Sequence, residues 1–154
     1  MNKRIFLATF LVAGAAAAAV LPYDESADAK AAIGAAPAAA RARHGKVLLI
    51  FGANWCEDCR ALDDALRTDR SARLLRGEFT VVKIDVGRFD RNLDVARAYG
   101  DPIRRGIPAA VIVSADNRVL YATRAGELAD ARRMSKGDIY TFFANAAAAA
   151  GESR

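Results

Sequence analysis

The hydrophobic positions of this chain change their period several times, and each change marks an element. Val47-Leu48-Leu49-Ile50-Phe51 is a continuous apolar run, which predicts a strand over 46–52 buried on both faces. From Cys56 to Arg67 the pattern turns helical: Leu62, Ala65 and Leu66 share one stripe, and Glu57, Asp58, Asp63, Asp64 and Arg67 take the rest. Thr68 or Asp69 caps a short helix through Arg76, closed by Gly77. Phe79–Val86, rich in β-branched residues, reads as the next strand. Asp90 then caps a helix carrying Leu93, Val95 and Ala96, with Gly100 at its end. Ala109–Ser114 and Val119–Thr123 are hairpin strands across the turn Ala115-Asp116-Asn117. The polar stretch Gly126–Met134 predicts a loop or a short surface helix. Ser135 and Asp138 then form the capping box of a closing helix through Ala149.

Upstream, Tyr23–Gly45 is alanine-rich, with acids near its start and Arg41, Arg43 and Lys46 near its end, the charge order a helix dipole favours. Gly34 and Pro37 interrupt it, so residues 20–45 are expected to form a kinked helix or two short ones, in part a tether, with little packing value. Strands separated by helices imply parallel pairing and the hairpin adds antiparallel partners. The expected fold class is α/β, a mixed central β-sheet flanked by helices on both faces, in one domain over 46–150.

Residues 1–19 have the layout of a signal peptide. Lys3 and Arg4 precede the apolar run Ile5–Val12, and Ala15–Ala19 offers small-residue cleavage sites. The apolar part is shorter than the ~20 residues a spanning helix needs, so membrane contact is expected only through an uncleaved leader. Export to an oxidising compartment follows, a bacterial periplasm or the exterior. The formal net charge is +5, but the arginines alternate with acids (Arg67, Asp69, Arg70; Arg88, Asp90, Arg91) and form no basic stripe. No nucleic-acid partner is expected.

Against this background the only two cysteines stand out in Trp55-Cys56-Glu57-Asp58-Cys59, between the apolar strand and the helix. A structural disulfide stabilises mainly by closing a long loop, and a two-residue gap closes almost none. The spacing favours a pair that is reduced and oxidised in place. A helix starting at Cys56 aims its unpaired N–H groups and positive dipole end at that sulfur and favours the thiolate, the nucleophilic form. Cys59, one turn on, is placed to resolve a mixed disulfide. Trp55 serves either as a flat apolar flank for the sulfur or as a core residue. Pro108, in Gly106-Ile107-Pro108, serves at least as a strand-start residue with no N–H to donate.

Phe51-Gly52-Ala53-Asn54-Trp55-Cys56-Glu57-Asp58-Cys59, Lys83-Ile84-Asp85-Val86 and Gly106-Ile107-Pro108, in this order and spacing, resemble the thioredoxin superfamily. They are similar in particular to secreted domains like the C-terminal domain of the bacterial thiol-disulfide interchange protein. The resemblance covers about Val47–Thr123. It implies a thioredoxin-like fold, thiol-disulfide oxidoreductase activity and no bound cofactor. It also implies Cys56 as nucleophile, Cys59 as resolving thiol and Trp55 as flanking aromatic. Pro108 would be a cis-proline, leaving the Ile107 backbone to pair with an extended substrate. The implied partners are disulfide-bearing proteins and a membrane or periplasmic thiol-disulfide recycling partner, with the chain itself a monomer.

The chain departs from that family in two ways. Ile50 stands where many thioredoxins carry a buried acid, leaving Asp85 and Glu57 as weak substitutes for proton transfer. Glu57 and Asp58 stand between the cysteines. Their charge opposes ionisation of Cys56, partly offset by Arg60, and points to a reductant-like couple rather than a strong oxidant. Rival readings remain open on the sequence. A closed zinc site needs four ligands where this motif supplies two, whereas a copper chaperone or a redox-inactive binding domain is compatible with the same fold. A cysteine hydrolase would need the single histidine, His44, as base and leaves Cys59 without a role.

Overall fold

The computed structural model describes residues 20–152; the expected signal segment 1–19 lies outside them. The elements are helix α1 (Ala29–Ala42), strand β1 (Lys46–Gly52), helices α2 (Glu57–Leu66) and α3 (Asp69–Glu78), strand β2 (Phe79–Asp85), helix α4 (Leu93–Ala98), strands β3 (Ala109–Val113) and β4 (Val119–Ala122), and helix α5 (Lys136–Glu152). Short 3-10 turns occupy Pro102–Arg105 and Ala131–Arg133.

The strands form one sheet in the order β2-β1-β3-β4. The β1–β2 pair is parallel, from Lys46 opposite Phe79 to Gly52 opposite Asp85. The β1–β3 and β3–β4 pairs are antiparallel, with an irregularity in the latter at Ile112/Val113. This is the mixed sheet expected.

Its central strand explains the unbroken apolar run. Successive β1 side chains point to opposite faces, and both faces are covered. Val47, Leu49 and Phe51 pack with α1, Val95 and Val111, while Leu48 and Ile50 pack with Leu62, Phe79, Ile112, Ile139 and Phe143. The β1–β2 crossover through α2 and α3 brings the C-terminal ends of both strands to one edge, where the cysteines lie.

The N-terminal segment is helical, and differs from expectation in how much of it packs into the core. It forms one 14-residue helix, α1, with Pro37 inside it and Asp28 capping its start through the Ala31 N–H. Ala29, Ile33, Ala36 and Ala40 recur at helical spacing and are buried in the core. The small side chains let the helix approach the sheet closely, and the burial of Ile33 with this face offsets the hydrogen bond lost at Pro37. The expected tether of little packing value is thus a structural helix, and Tyr23 ahead of it is buried too.

Smaller differences have local causes. Cys56 is the N-cap of α2, not its first residue, and Thr68 bonds its hydroxyl back to the Ala65 carbonyl. Helix α3 runs through Gly77 to Glu78, because β2 must begin at once beside Lys46. Asp90 accepts from the Arg88 N–H, and Asn92, in the left-handed region, takes the N-cap position of α4. The polar stretch 126–134 hides Leu128 and Ala131 against the α2–α5 face. The Ser135–Asp138 capping box forms as expected: the Asp138 N–H donates to Ser135 Oγ at 3.0 Å, and the Ser135 N–H to Asp138 Oδ2 at 3.1 Å.

Candidate active site

Strand β1 ends at Gly52, and a tight turn delivers Cys56 to the start of α2, where the Cys56 N–H donates to the Ala53 carbonyl at 3.2 Å. Cys56 caps the helix with its own sulfur, which accepts from the Cys59 N–H at 3.1 Å. The two cysteines are joined as a disulfide, with Cα atoms 5.2 Å apart. Cys56 is 6% exposed and Cys59 is 1% exposed. An attacking group from outside therefore meets Cys56 first. The helix N-terminus points its free N–H groups at the same sulfur.

The second wall is the loop before β3. The Ile107–Pro108 peptide is cis, and the Ile107 carbonyl oxygen lies 3.7 Å from Cys56 Sγ. Trp55 is 45% exposed, so it is a surface aromatic beside the cysteines and not a core residue. Its indole N–H donates to the Gly87 carbonyl at 2.7 Å. Phe89, also exposed, meets its ring edge-on, and the Arg88 guanidinium lies over it at 5.5 Å. The structure thus brings Cys56, Cys59, Trp55, Ile107 and Pro108 to one place.

His44, by contrast, sits in the turn before β1, at the other end of that strand. No imidazole faces either cysteine, because this is the chain's single histidine. Among the described residues no group of three or more His, Cys, Asp or Glu gathers as a metal site.

The charges around the motif are not as bare as the sequence suggests. Arg132, on the 3-10 turn ahead of α5, reaches both intervening acids. Its Nη1 lies 2.6 Å from Glu57 Oε2, and its backbone N–H donates to Asp58 Oδ1 at 3.0 Å. Arg60 is turned away, donating to the Asn54 carbonyl at 2.7 Å. The cation facing Glu57 and Asp58 is therefore Arg132, which sequence distance concealed.

One turn along α2 from Cys59 lies a buried polar group that the sequence pattern does not flag. Asp63, assigned to the polar face of α2, is buried four residues after Cys59 and accepts from Arg67 at 2.7 Å and from Lys83. Its spacing from Cys56 and Cys59 was the available signal, since residues seven and four apart share a helix face. Asp85 is buried at the end of β2, accepting from Arg91 and the Gly87 N–H at 3.2 Å each. Burial holds its carboxyl above the usual carboxylate range, against the pull of Arg91 and the Gly87 N–H. Ile50, by contrast, points into the core on the α2–α5 side.

Tyr23 completes this layer. Its backbone is clasped by the Asn54 side chain: the Tyr23 N–H donates to Asn54 Oδ1 at 2.9 Å, and Asn54 Nδ2 donates to the Tyr23 carbonyl at 2.8 Å. The phenol lies against Gly52, on the side where Cys59 Sγ also lies. No local pattern announces this contact. The polar Asn54 inside a buried stretch is its only trace in the sequence.

A profile described as thioredoxin-like matches residues 28–115, more than half of the chain, and the chain belongs to this family. The fold and the paired cysteines define a thiol-disulfide oxidoreductase. The chain is similar to the crystal structure of a disulphide isomerase from Xylella fastidiosa Temecula1. Identity is 56%, the match covers 83% of this chain and 98% of that one, and the TM-score is 0.81. Comparison with curated proteins gives no match.

Proposed function

We propose that the protein exchanges disulfides with disulfide-bearing protein partners, with Cys56 as nucleophile and Cys59 as resolving thiol. The observation that carries this reading is the disulfide itself. Its outer sulfur caps a helix N-terminus beside the Ile107-Pro108 loop, and its inner sulfur is enclosed. In the reducing direction the Cys56 thiolate attacks a partner S–S bond. One partner sulfur leaves as thiolate and a mixed disulfide forms. The Cys59 thiolate then attacks Cys56 Sγ and frees the second partner thiolate. Two electrons pass to the partner and the Cys56–Cys59 bond closes.

Pro108 shapes the loop that leaves the Ile107 backbone for an extended substrate, and Trp55 with Phe89 provides an apolar flank. Glu57 and Asp58 favour the disulfide form, moderated by Arg132. This balance supports a couple nearer the ~−270 mV of thioredoxin than the ~−120 mV of a strong periplasmic oxidant. The reaction needs no cofactor. A membrane or periplasmic thiol-disulfide partner would recycle the pair. The layout of residues 1–19 supports action in the periplasm or outside the cell, and the chain is read as a monomer. The Xylella protein's description as a disulphide isomerase supports the same chemistry, because attack and release on one substrate without net electron transfer rearranges its bonds.

Reduction of insulin disulfides tests the reading. Turnover is expected from the wild type and none from Cys56→Ser. Inertness of the wild type, together with tight stoichiometric copper binding, would replace it with a metal-chaperone role. Equilibration with glutathione measures the potential, and a midpoint among the strong oxidants overturns the reductant assignment. A Cys59→Ser variant, unable to resolve mixed disulfides, would trap the partners for identification.

A further inference from the structure

Opening the Cys56–Cys59 bond leaves a thiolate at one of the two sulfurs. Exchange starting at the outer sulfur leaves it on Cys59, the one that is 1% exposed. A buried anion needs a donor, because water does not reach it freely. The family position that often supplies an acid here holds Ile50, whose side chain lies in the core on the α2–α5 side. The nearby acids are committed to other partners. Asp63 is engaged by Lys83 and Arg67, and Asp85 by Arg91 and the Gly87 N–H.

One neutral donor lies at the right place. A methyl group built on Gly52 would collide with the Tyr23 hydroxyl and would lie 3.0 Å from Cys59 Sγ. The hydroxyl and the sulfur therefore flank the same point above the glycine. The phenol is not there by chance of a loose chain end. Tyr23 is 4% exposed, and the two hydrogen bonds from Asn54, two residues before Cys56, fix its backbone.

We propose that the Tyr23 hydroxyl donates a hydrogen bond to the Cys59 thiolate and holds that sulfur as the leaving and attacking group of the exchange. In this step an incoming thiolate attacks Cys56 Sγ and a new S–S bond forms. The Cys56–Cys59 bond breaks with its electron pair on Cys59, and the phenol keeps its proton while donating to that charge. In the reverse step the Cys59 thiolate attacks Cys56 Sγ, the Cys56–Cys59 bond re-forms, and the partner sulfur leaves as thiolate with the electron pair of the broken bond. The phenol suits the task because it stays protonated. Burial raises its pKa well above the usual phenol range, and the nearby charges of Asp63 and Asp85 raise it further. Facing groups of the opposite sign are Lys83 on β2 and Arg91 ahead of α4, each already paired with one of those acids.

The inference rests on the exchange reading, but its test does not need turnover. In a Cys56→Ser background, which retains an oxygen at the helix cap, thiolate absorbance near the ultraviolet cut-off is followed against pH to titrate Cys59 alone. Adding Tyr23→Phe, which keeps the ring, is expected to raise the Cys59 pKa by about one unit, roughly a tenfold loss of thiolate at fixed pH. Superimposable titration curves overturn the proposal. Replacing tyrosine with the more acidic 3-fluorotyrosine leaves the packing intact and is expected to move the Cys59 pKa down. This second arm decides the matter if Tyr23→Phe does not fold, and an unchanged pKa there overturns the proposal equally. Insulin reduction by the wild type is scored separately: inertness with a shifted titration removes the exchange reading and leaves the Tyr23 contact standing.

Discussion

Gly52→Ala is the most exacting probe of how the site is built. The glycine ends β1 in ordinary strand conformation, so alanine costs nothing in backbone strain. It would even gain some stability by restricting the unfolded chain, about 0.4–1 kcal/mol. The space around it reverses the sign. The added methyl would overlap the Tyr23 hydroxyl, approach its Cζ to 2.5 Å and touch Cys59 Sγ at 3.0 Å. Neither neighbour is the free end of a flexible side chain. The tyrosine backbone is held by Asn54 and its ring is buried, while Cys59 is fixed by α2 and by the disulfide. Overpacking of this kind costs typically 1–3 kcal/mol, and two immobile neighbours place Gly52→Ala at about 3 kcal/mol. The assay is urea unfolding of the oxidised protein, read as a drop in midpoint at unchanged slope. A double-mutant cycle locates the cause: with Tyr23→Phe the overlapping oxygen is gone. The pair is expected to be less destabilised than the sum of its members by about 1 kcal/mol. A Gly52→Ala protein within about 0.5 kcal/mol of wild type, or strictly additive variants, would refute the reasoning.

Three further outcomes are expected. Ile33→Ala should destabilise by about 2–5 kcal/mol, because the side chain is buried between α1 and the sheet; a loss below about 0.5 kcal/mol in chemical unfolding would return α1 to the role of a tether. Arg132→Ala should make the disulfide harder to reduce by exposing Cys56 to the uncompensated charges of Glu57 and Asp58. For exposed ion pairs worth up to ~1 kcal/mol the shift is at most ~20 mV toward negative potential, and glutathione equilibration showing a positive shift would reverse the assignment. Asp85 has a folded-state pKa raised by burial, so its contribution to stability is greatest in acid and is lost as pH rises through the folded value. The stability of Asp85→Asn relative to wild type should therefore improve from acid toward neutral pH; parallel stability–pH curves would contradict this.

The sheet was legible because its signals are local. The unbroken apolar run of β1, the β-branched β2 and the turn Ala115-Asp116-Asn117 each state their element within a few residues. The cysteine pair and Ile107-Pro108 marked the candidate site for the same reason. What stayed hidden depends on contacts between distant segments. The packing of α1 could not be read, because alanine carries little hydrophobic signal and shows its value only against a close neighbour such as the sheet under Ala36 and Ala40. The Arg132 contact with Glu57 and Asp58 spans more than seventy residues. Tyr23 reaches Asn54 across thirty-one. Asp63 was the one miss with a readable clue, since its helical spacing from both cysteines already set it on their side of α2.

The clasp between Tyr23 and Asn54 also fixes where the polypeptide enters the folded body. It arrives next to the sulfurs, with Val20 and Leu21 exposed just ahead. The far end of α5 is at the opposite pole, where Ala150 borders the same hollow as His44 and Gly45. A label, bead or fusion joined directly ahead of Val20 therefore stands in the path of docking molecules. The same cargo joined at the end of α5 leaves the approach clear, and immobilised forms of the protein should be built that way round.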